Sequence, residues 1–452
     1  MPTLIFLSLL GYLGTLATLQ TNYAWTFMTY RWIALITLVI VSGFHWMLFR
    51  PRRRLISADN TMDILMVYLF STLLTVPFAE NWVFSGMRWT SHAMMLLAFL
   101  LFLPPTLQLK DVQRLITVLK ATVAVLLLVS WIYPVPWAFE DTQRFQGAMG
   151  DPNTMGHIAA MGALLYFHGA ITTKEKRVRI GQGAIALGAM ATVWFSGARS
   201  SMLALMVGLM LLGYVYRRRI GFKIIGTMLA VTLVSFAFPN LPGQAKQFIL
   251  KGEGGTSSEI SRRVIESRRP VWEEAWEGFK SRPLLGWGFG ADSNVPVLWE
   301  VQMTALGTVE RDAVNDFLFM LEGGGIVGLG AYLLLVYLIL KQRPAAEQRA
   351  ILMRFSGAPA ELRDSSLPIH HAHAILFIVA TSLLVLFQLD GTALSAGSFM
   401  SAALWLTVGG AIAIRKEVPA SALAMRSAIG PSVSVGPASA KSRPRLGPLG
   451  KW

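Results

Sequence analysis

Long, uninterrupted apolar runs are the feature that most limits what this chain can become. About twelve of them stand between polar breaks, near 3–19, 31–49, 62–79, 85–104, 113–134, 154–171, 180–196, 199–216, 220–238, 312–340, 371–389 and 396–414. Most have the roughly 17 to 25 residues that a helix needs to cross a hydrocarbon core about 30 Å thick. Lipid offers the backbone no hydrogen bonds, so such segments must satisfy their own as helices. The expected fold class is an all-α membrane protein with about twelve transmembrane helices. Composition excludes an ordinary water-soluble enzyme: 54% of residues are hydrophobic and only 14% charged, against roughly 25% charged in soluble domains. The first run lacks a basic leading segment and a small-residue cleavage signal, which reads as a retained helix.

The net charge of +15 is a matter of topology once the runs are placed. With the N-terminus cytoplasmic, the inner connections and tail hold 26 Lys and Arg, beginning with Arg50, Arg52, Arg53 and Arg54. The short outer connections hold only Arg88, Arg144 and Arg199. Short cytoplasmic loops are enriched in this way, which orients the chain and removes the argument for nucleic acid as a partner. Lys120 and Arg31 fall inside runs. The expected organisation is nine helices over 1–238, an outer loop at 239–311, three helices over 312–414 and a basic, disordered cytoplasmic tail at 415–452. Cysteine is absent, so disulfides, thiolate zinc sites and cysteine nucleophiles are excluded.

The outer connections contain the chemistry. Arg144 sits in "RFQGAMGDPNTMGH", where Asp151 and Asn153 flank Pro152 as a turn and helix cap; capping alone is the plainer reading of that pair. Arg199 sits in the short turn "SGARSSMLALMVGL". An arginine beside a membrane either anchors at the interface or binds an anion, for which its planar five-donor group is suited. The outer loop is about 72 residues long, too long for a mere connection. In it, Trp272, Trp276 and Phe279 recur at helical spacing beside Glu273, Glu274 and Glu277, the pattern of an interfacial helix. The arginines from Arg262 to Arg269 could equally form a solvated face paired with those glutamates. "LLGWGFG" follows no strand and matches no P-loop, so a nucleotide site is not expected there. Beyond the loop, Asp312 and Asp316 share a helix face next to Asn315, and Glu322 lies deeper, where it must face the bundle, close to a helix broken or kinked by Gly323, Gly324 and Gly325. The cluster "HHAH" at 370–373 reads as the start of a helix at the cytoplasmic boundary, and no metal is expected there.

Taken in order, "RFQGAMGDPNTMGH", "SGARSSMLALMVGL", "SRRPVWEEAWEGFKSRPLLGWGFG" and "NDFLFMLEGGGIVGLGAYLLL" resemble the bacterial O-antigen ligase and polysaccharide polymerase superfamily. The resemblance implies about twelve spans in the bacterial inner membrane and a large periplasmic loop between two late helices, here spans 9 and 10, while the loop charges place both termini in the cytoplasm. It implies transfer of a glycan from an undecaprenyl diphosphate carrier to a glycan or glycolipid acceptor, with no cofactor. Carried over by position, it makes Arg144, Arg199 and Arg268 the diphosphate-binding residues, with Arg268 also catalytic. The ligases keep a histidine where this chain has Val314, before Asn315. That departure favours a polymerase, or a ligase with an altered acceptor.

The physical chemistry is compatible: fixed guanidinium groups in a partly dry site stabilise charge on a departing diphosphate without a metal. The acceptor's proton needs a base, for which Asp316 ranks first by location, ahead of Asp312, Glu310, Asp151, His157 and His92. Asp151, Asn153, Asn315 and Glu322 are expected in support. A transporter or flippase of a lipid-linked or anionic solute is the alternative, but transporters place ionisable groups near the midplane rather than at one face.

Overall fold

The computed structural model describes residues 3–19, 24–49, 60–132, 144–216, 269–290, 315–344, 360–390 and 398–415. These residues form helices and turns, with no β-strand among them. In chain order the α-helices are α1 (Thr3–Leu19), α2 (Ala24–Phe49), α3 (Thr61–Leu73), α4 (Trp82–Leu96), α5 (Leu109–Ile132), α6 (Pro152–Thr172), α7 (Lys176–Ser196), α8 (Arg199–Val215), α9 (Arg269–Ser281), α10 (Asp316–Lys341), α11 (Ala360–Asp390) and α12 (Phe399–Arg415).

Seven helical segments among the described residues are long and apolar enough to cross a membrane, from Tyr30–Leu48 to Pro368–Leu389. Three shorter apolar helices accompany them, at Thr3–Ala17, Arg199–Val215 and Phe399–Arg415. The expected run at 220–238 and the tail at 415–452 lie outside the described residues apart from Arg415, as does the outer loop except for 269–290. By length and composition, seven of the twelve expected spans are supported among the described residues. Helix 2 shows what their surfaces meet: Ile33, Ile36, Ile40, Phe44 and Met47 form an exposed apolar stripe. Water would penalise a stripe of that size, whereas lipid tails accept it. The chain is an integral membrane protein.

Helices α6 and α12 are apolar on every side and buried almost throughout, which makes them the centre of the bundle. Close approaches there depend on glycine. Gly409 of α12 lies against the carbonyl of Phe99, in the π-helical turn Leu97–Phe102 that ends α4. Gly208 of α8 lets Ser382 of α11 come close enough to donate to the Ala204 carbonyl at 2.6 Å.

Helix α10 departs from the single span expected at 312–340. Gly325 has φ 60° and ψ −158°, outside helical geometry. The Tyr332 hydroxyl donates to Asp316 Oδ2 at 3.3 Å, and the rings of Phe317 and Tyr332 meet edge to face. Sixteen residues of straight helix would separate 316 from 332 by about 24 Å. The chain therefore folds back at Gly325, and Gly328 packs on the Met320 carbonyl across the bend. A hydropathy reading counts apolar residues without regard to direction, so a helical hairpin looks like one long helix.

Candidate functional site

Arg144 is fixed by the end of one helix and the start of another. Helix α7 ends at Gly197, which takes φ +63° as its C-cap. The last carbonyls of a helix have no intrahelical partner and carry partial negative charge. Here Phe145 N–H donates to the Phe195 carbonyl at 2.9 Å, and Arg144 Nε donates to the Ser196 carbonyl at 3.0 Å. Arg144 Nη2 donates to Asn153 Oδ1 at 2.8 Å, in the first turn of α6. Both of these acceptors are neutral oxygens, and together they orient the guanidinium. Arg144 is only 9% exposed. Phe145 stacks on Trp131, whose indole N–H donates to Thr192, tying the same turn to α5 and α7.

Asp151 caps α6, accepting from the N–H groups of Asn153 and Thr154 and from the Thr154 hydroxyl. The expected pair thus divides its work: Asp151 caps the helix, and Asn153 holds Arg144. Gly156, one turn on, fits against Ala198, Ser196 and Ser201. The Arg144 segment and the α7–α8 turn interlock, and Arg199 opens α8 on that turn, half-buried, with its Nη1 shielded from solvent.

A second group gathers on α10. Asn315 is the N-cap, accepting from the N–H groups of Phe317 and Leu318. Asp316 is 1% exposed and lies in the first helical turn, where the helix dipole favours a carboxylate. Tyr332, which donates to Asp316, accepts from the Gln388 amide of α11 at 2.7 Å. Helices α8 and α11 run antiparallel, joined at Ala204 with Ser382 and at Tyr216 with His371. Continuing that register sets Gln388 level with Arg199, to within about one turn. The chain from Gln388 through Tyr332 to Asp316 links the two groups in depth. Glu322 is 4% exposed and packs against Gly278 of α9.

The bend in α10 is closed by the segment after α9. Breaking the helix releases the Glu322 and Gly323 carbonyls, which accept from the Trp287 and Gly288 N–H groups at 3.0 and 2.7 Å. It also releases the N–H groups of Ile326 and Val327, which donate to the Pro283 and Leu284 carbonyls. Gly286 and Gly325 both have positive φ and touch the opposing backbone, so neither has room for a Cβ. Gly290 accepts from Arg88 Nη1 at 2.7 Å, Phe289 accepts from Ser85, and Arg282 lies over the Trp287 ring and donates to the Phe78 carbonyl. "LLGWGFG" is therefore a backbone brace for a broken helix. Sequence reasoning missed this role and those of Ser85, Arg88 and Arg282; the paired signal was the alternating glycines at 286, 288 and 290 with the triplet at 323–325.

Two candidate bases are buried, and other expected residues lie out of view. His92 is within 3.1 Å of the Tyr68 hydroxyl and packed against Phe289 and Trp405. His157 is buried too, beside Ser382 in the core. Arg269 forms an exposed ion pair with Glu273 at 2.6 Å, the solvated-face reading of the loop arginines. Trp272 and Trp276 stay exposed while Ala275 and Gly278 turn inward. Arg268, Asp312, Glu310 and Val314 lie outside the described residues.

Residues 183–333 match a protein-family model described as O-Antigen ligase. The chain carries an O-antigen ligase-like domain. This supports the O-antigen ligase and polymerase superfamily, and no curated protein matches the chain. The ligase-like stretch takes in most of α7, all of α8 and α9, the brace and the bend of α10. Arg144 precedes it in sequence but bonds to Ser196 within it.

Proposed function

We propose that this protein transfers a glycan from an undecaprenyl diphosphate carrier to an acceptor hydroxyl on the periplasmic face of a bacterial inner membrane, as a polymerase or ligase-like enzyme. The observation that carries this reading is the seating of Arg144 between the α7 C-terminus and Asn153, on the turn that leads into Arg199, with Ser196 and Arg199 inside the O-antigen ligase match. In the reaction the bond between the anomeric carbon and the carrier's diphosphate oxygen breaks, and the acceptor oxygen takes its place on that carbon. The departing diphosphate gains negative charge, which preorganised guanidinium groups stabilise more strongly in a shielded site than in water. Arg144 and Arg199 fill that role, with Arg268 as a third member. Asp316, in its first-turn position, receives the acceptor's proton. Asp151, Asn153, Asn315 and Glu322 hold these groups in place, Asn153 directly. Among the alternative bases, Asp151 is already committed to its cap.

A growing lipid-linked chain as the acceptor fits the valine at position 314. The test gives purified full chain, in lipid nanodiscs, one lipid-linked repeat unit as sole substrate, with EDTA present. The expected result is a ladder of longer lipid-linked products. Products that form only after a separate glycolipid is added would reassign the enzyme as a ligase. Transport of intact substrate without any new glycosidic bond would overturn the reading in favour of a transporter.

A further inference from the structure

Lys120 stands about halfway along α5, an apolar helix read as a membrane span. An ammonium group at that depth is costly against lipid and calls for a polar lining. Lys120 has one: a cavity of about 370 Å³ between α5, α6, α7 and α11, of the size that holds a small organic ligand rather than a lone ion. Gln113, Lys120, His168, Lys174, Gln182 and His371 contribute nitrogen to its wall, and no Asp or Glu is among the described residues that line it.

Gly169 lies in its wall, where an added Cβ would push aside the ends of the Gln182 and Lys120 side chains. The buried Gln182 Oε1 makes no hydrogen bond among the described residues. A half-turn of that amide would present its two N–H donors instead. The histidines are fixed through one hydroxyl: His168 Nε2 lies 3.0 Å and His371 Nδ1 2.8 Å from Tyr216 Oη. A hydroxyl donates one proton, so with both rings neutral one imidazole donates to it and the other accepts. The accepting ring then carries its own proton on its far nitrogen. From Asn153 to His168 along α6 is about 22 Å, so this cavity is remote from the Arg144 turn. It adjoins the turn before α7, where Lys174, Lys176, Arg177 and Arg179 cluster.

We propose that this cavity is a second anion site, taking a phosphate group carried by a phospholipid headgroup or by a soluble phosphate. Lysine cations, an amide and one imidazole N–H, with no carboxylate among the described lining residues, make a donor set for phosphate oxygens.

The test uses full-length protein in a neutral maltoside detergent. Inorganic pyrophosphate in one arm and phosphatidylglycerol in the other are scored by thermal shift and by adducts in native mass spectrometry. Because the Arg144 turn is itself cationic, both arms are repeated in Arg144→Ala. Binding of either probe is expected to persist in Arg144→Ala and to weaken tenfold or more in Lys120→Met, which keeps the side chain's length. Pyrophosphate alone would identify a soluble ligand, and phosphatidylglycerol alone a headgroup. Binding that Arg144→Ala abolishes and Lys120→Met leaves intact would overturn the proposal, as would no binding of either probe. None of these outcomes depends on glycan transfer, so the site stands or falls apart from the proposed reaction.

Discussion

Arg144 was legible in the sequence as a cation on an outer turn, but its orientation was not, because its partners are a backbone carbonyl and an amide that no motif displays. Its Nε and Nη2 serve Ser196 and Asn153 in two directions, as a planar guanidinium can and a single ammonium cannot. Arg144→Ala is expected to lower glycan transfer by about 10²-fold or more, the scale of losing one oxyanion donor. Arg144→Lys should recover little of it. Asn153→Ala should cost less, about tenfold, since it loosens the arginine without removing it. Initial rates at equal protein levels check all three, and near-normal rates throughout would make Arg144 an interfacial anchor. Asp316 calls for a different pair of variants, since its burial suits both a base and a brace for α10. If it takes the acceptor's proton, Asp316→Asn abolishes turnover with an unchanged melting temperature, while Tyr332→Phe, which deletes the bonds to Asp316 and from Gln388 but leaves the carboxylate, keeps most activity. Parallel losses of stability in both variants would make Asp316 structural.

At the scale of elements, the apolar runs located the helices well, including the division between α7 and α8 at "SGARS". At α10 the glycine triplet pointed to a break, which Gly325 makes, but not to the chain turning back there. That fact resides in pairings between 283–288 and 322–327, which are separated in sequence by a segment with no apolar period. Each half alone is an ordinary glycine-rich stretch. The brace can be tested by adding one carbon. Gly325→Ala would place a methyl group against the Leu284 backbone at a φ of +60°, and a backbone bonded on both sides cannot move aside. A cost of about 3 kcal/mol or more is expected from overpacking and strain together. Gly330→Ala, in the same helix with open space around it, should be neutral or slightly stabilising. Melting in detergent, followed by size-exclusion chromatography, compares the two, and equal stability would mean that the bend does not depend on this contact.

For the whole molecule, the two cationic sites stand at opposite ends of α6, and the proposed chemistry requires the Arg144 end to face away from the cytoplasm. The bias of short loops toward Lys and Arg argues for that orientation, and the absence of cysteine allows a direct test. Glu80 is exposed beside the brace, where it pairs with Arg282 at 3.7 Å. Glu175 is exposed in the turn between α6 and α7, next to the second cavity. Single cysteines at these positions would be the sole thiols in the protein. A membrane-impermeant maleimide applied to cells with a permeabilised outer membrane should label Glu80→Cys directly, and Glu175→Cys only after the inner membrane is opened. Both substitutions lie outside the proposed catalytic group, so labelled material can be checked for normal transfer. The reverse pattern would turn Arg144, Arg199 and Asp316 toward the cytoplasm, away from the compartment in which the proposed reaction takes place. It would also expose the Lys120 cavity to the outer leaflet. Glycan transfer at the periplasmic face could not survive that result, whereas the anion site could, with a ligand drawn from the other side of the membrane.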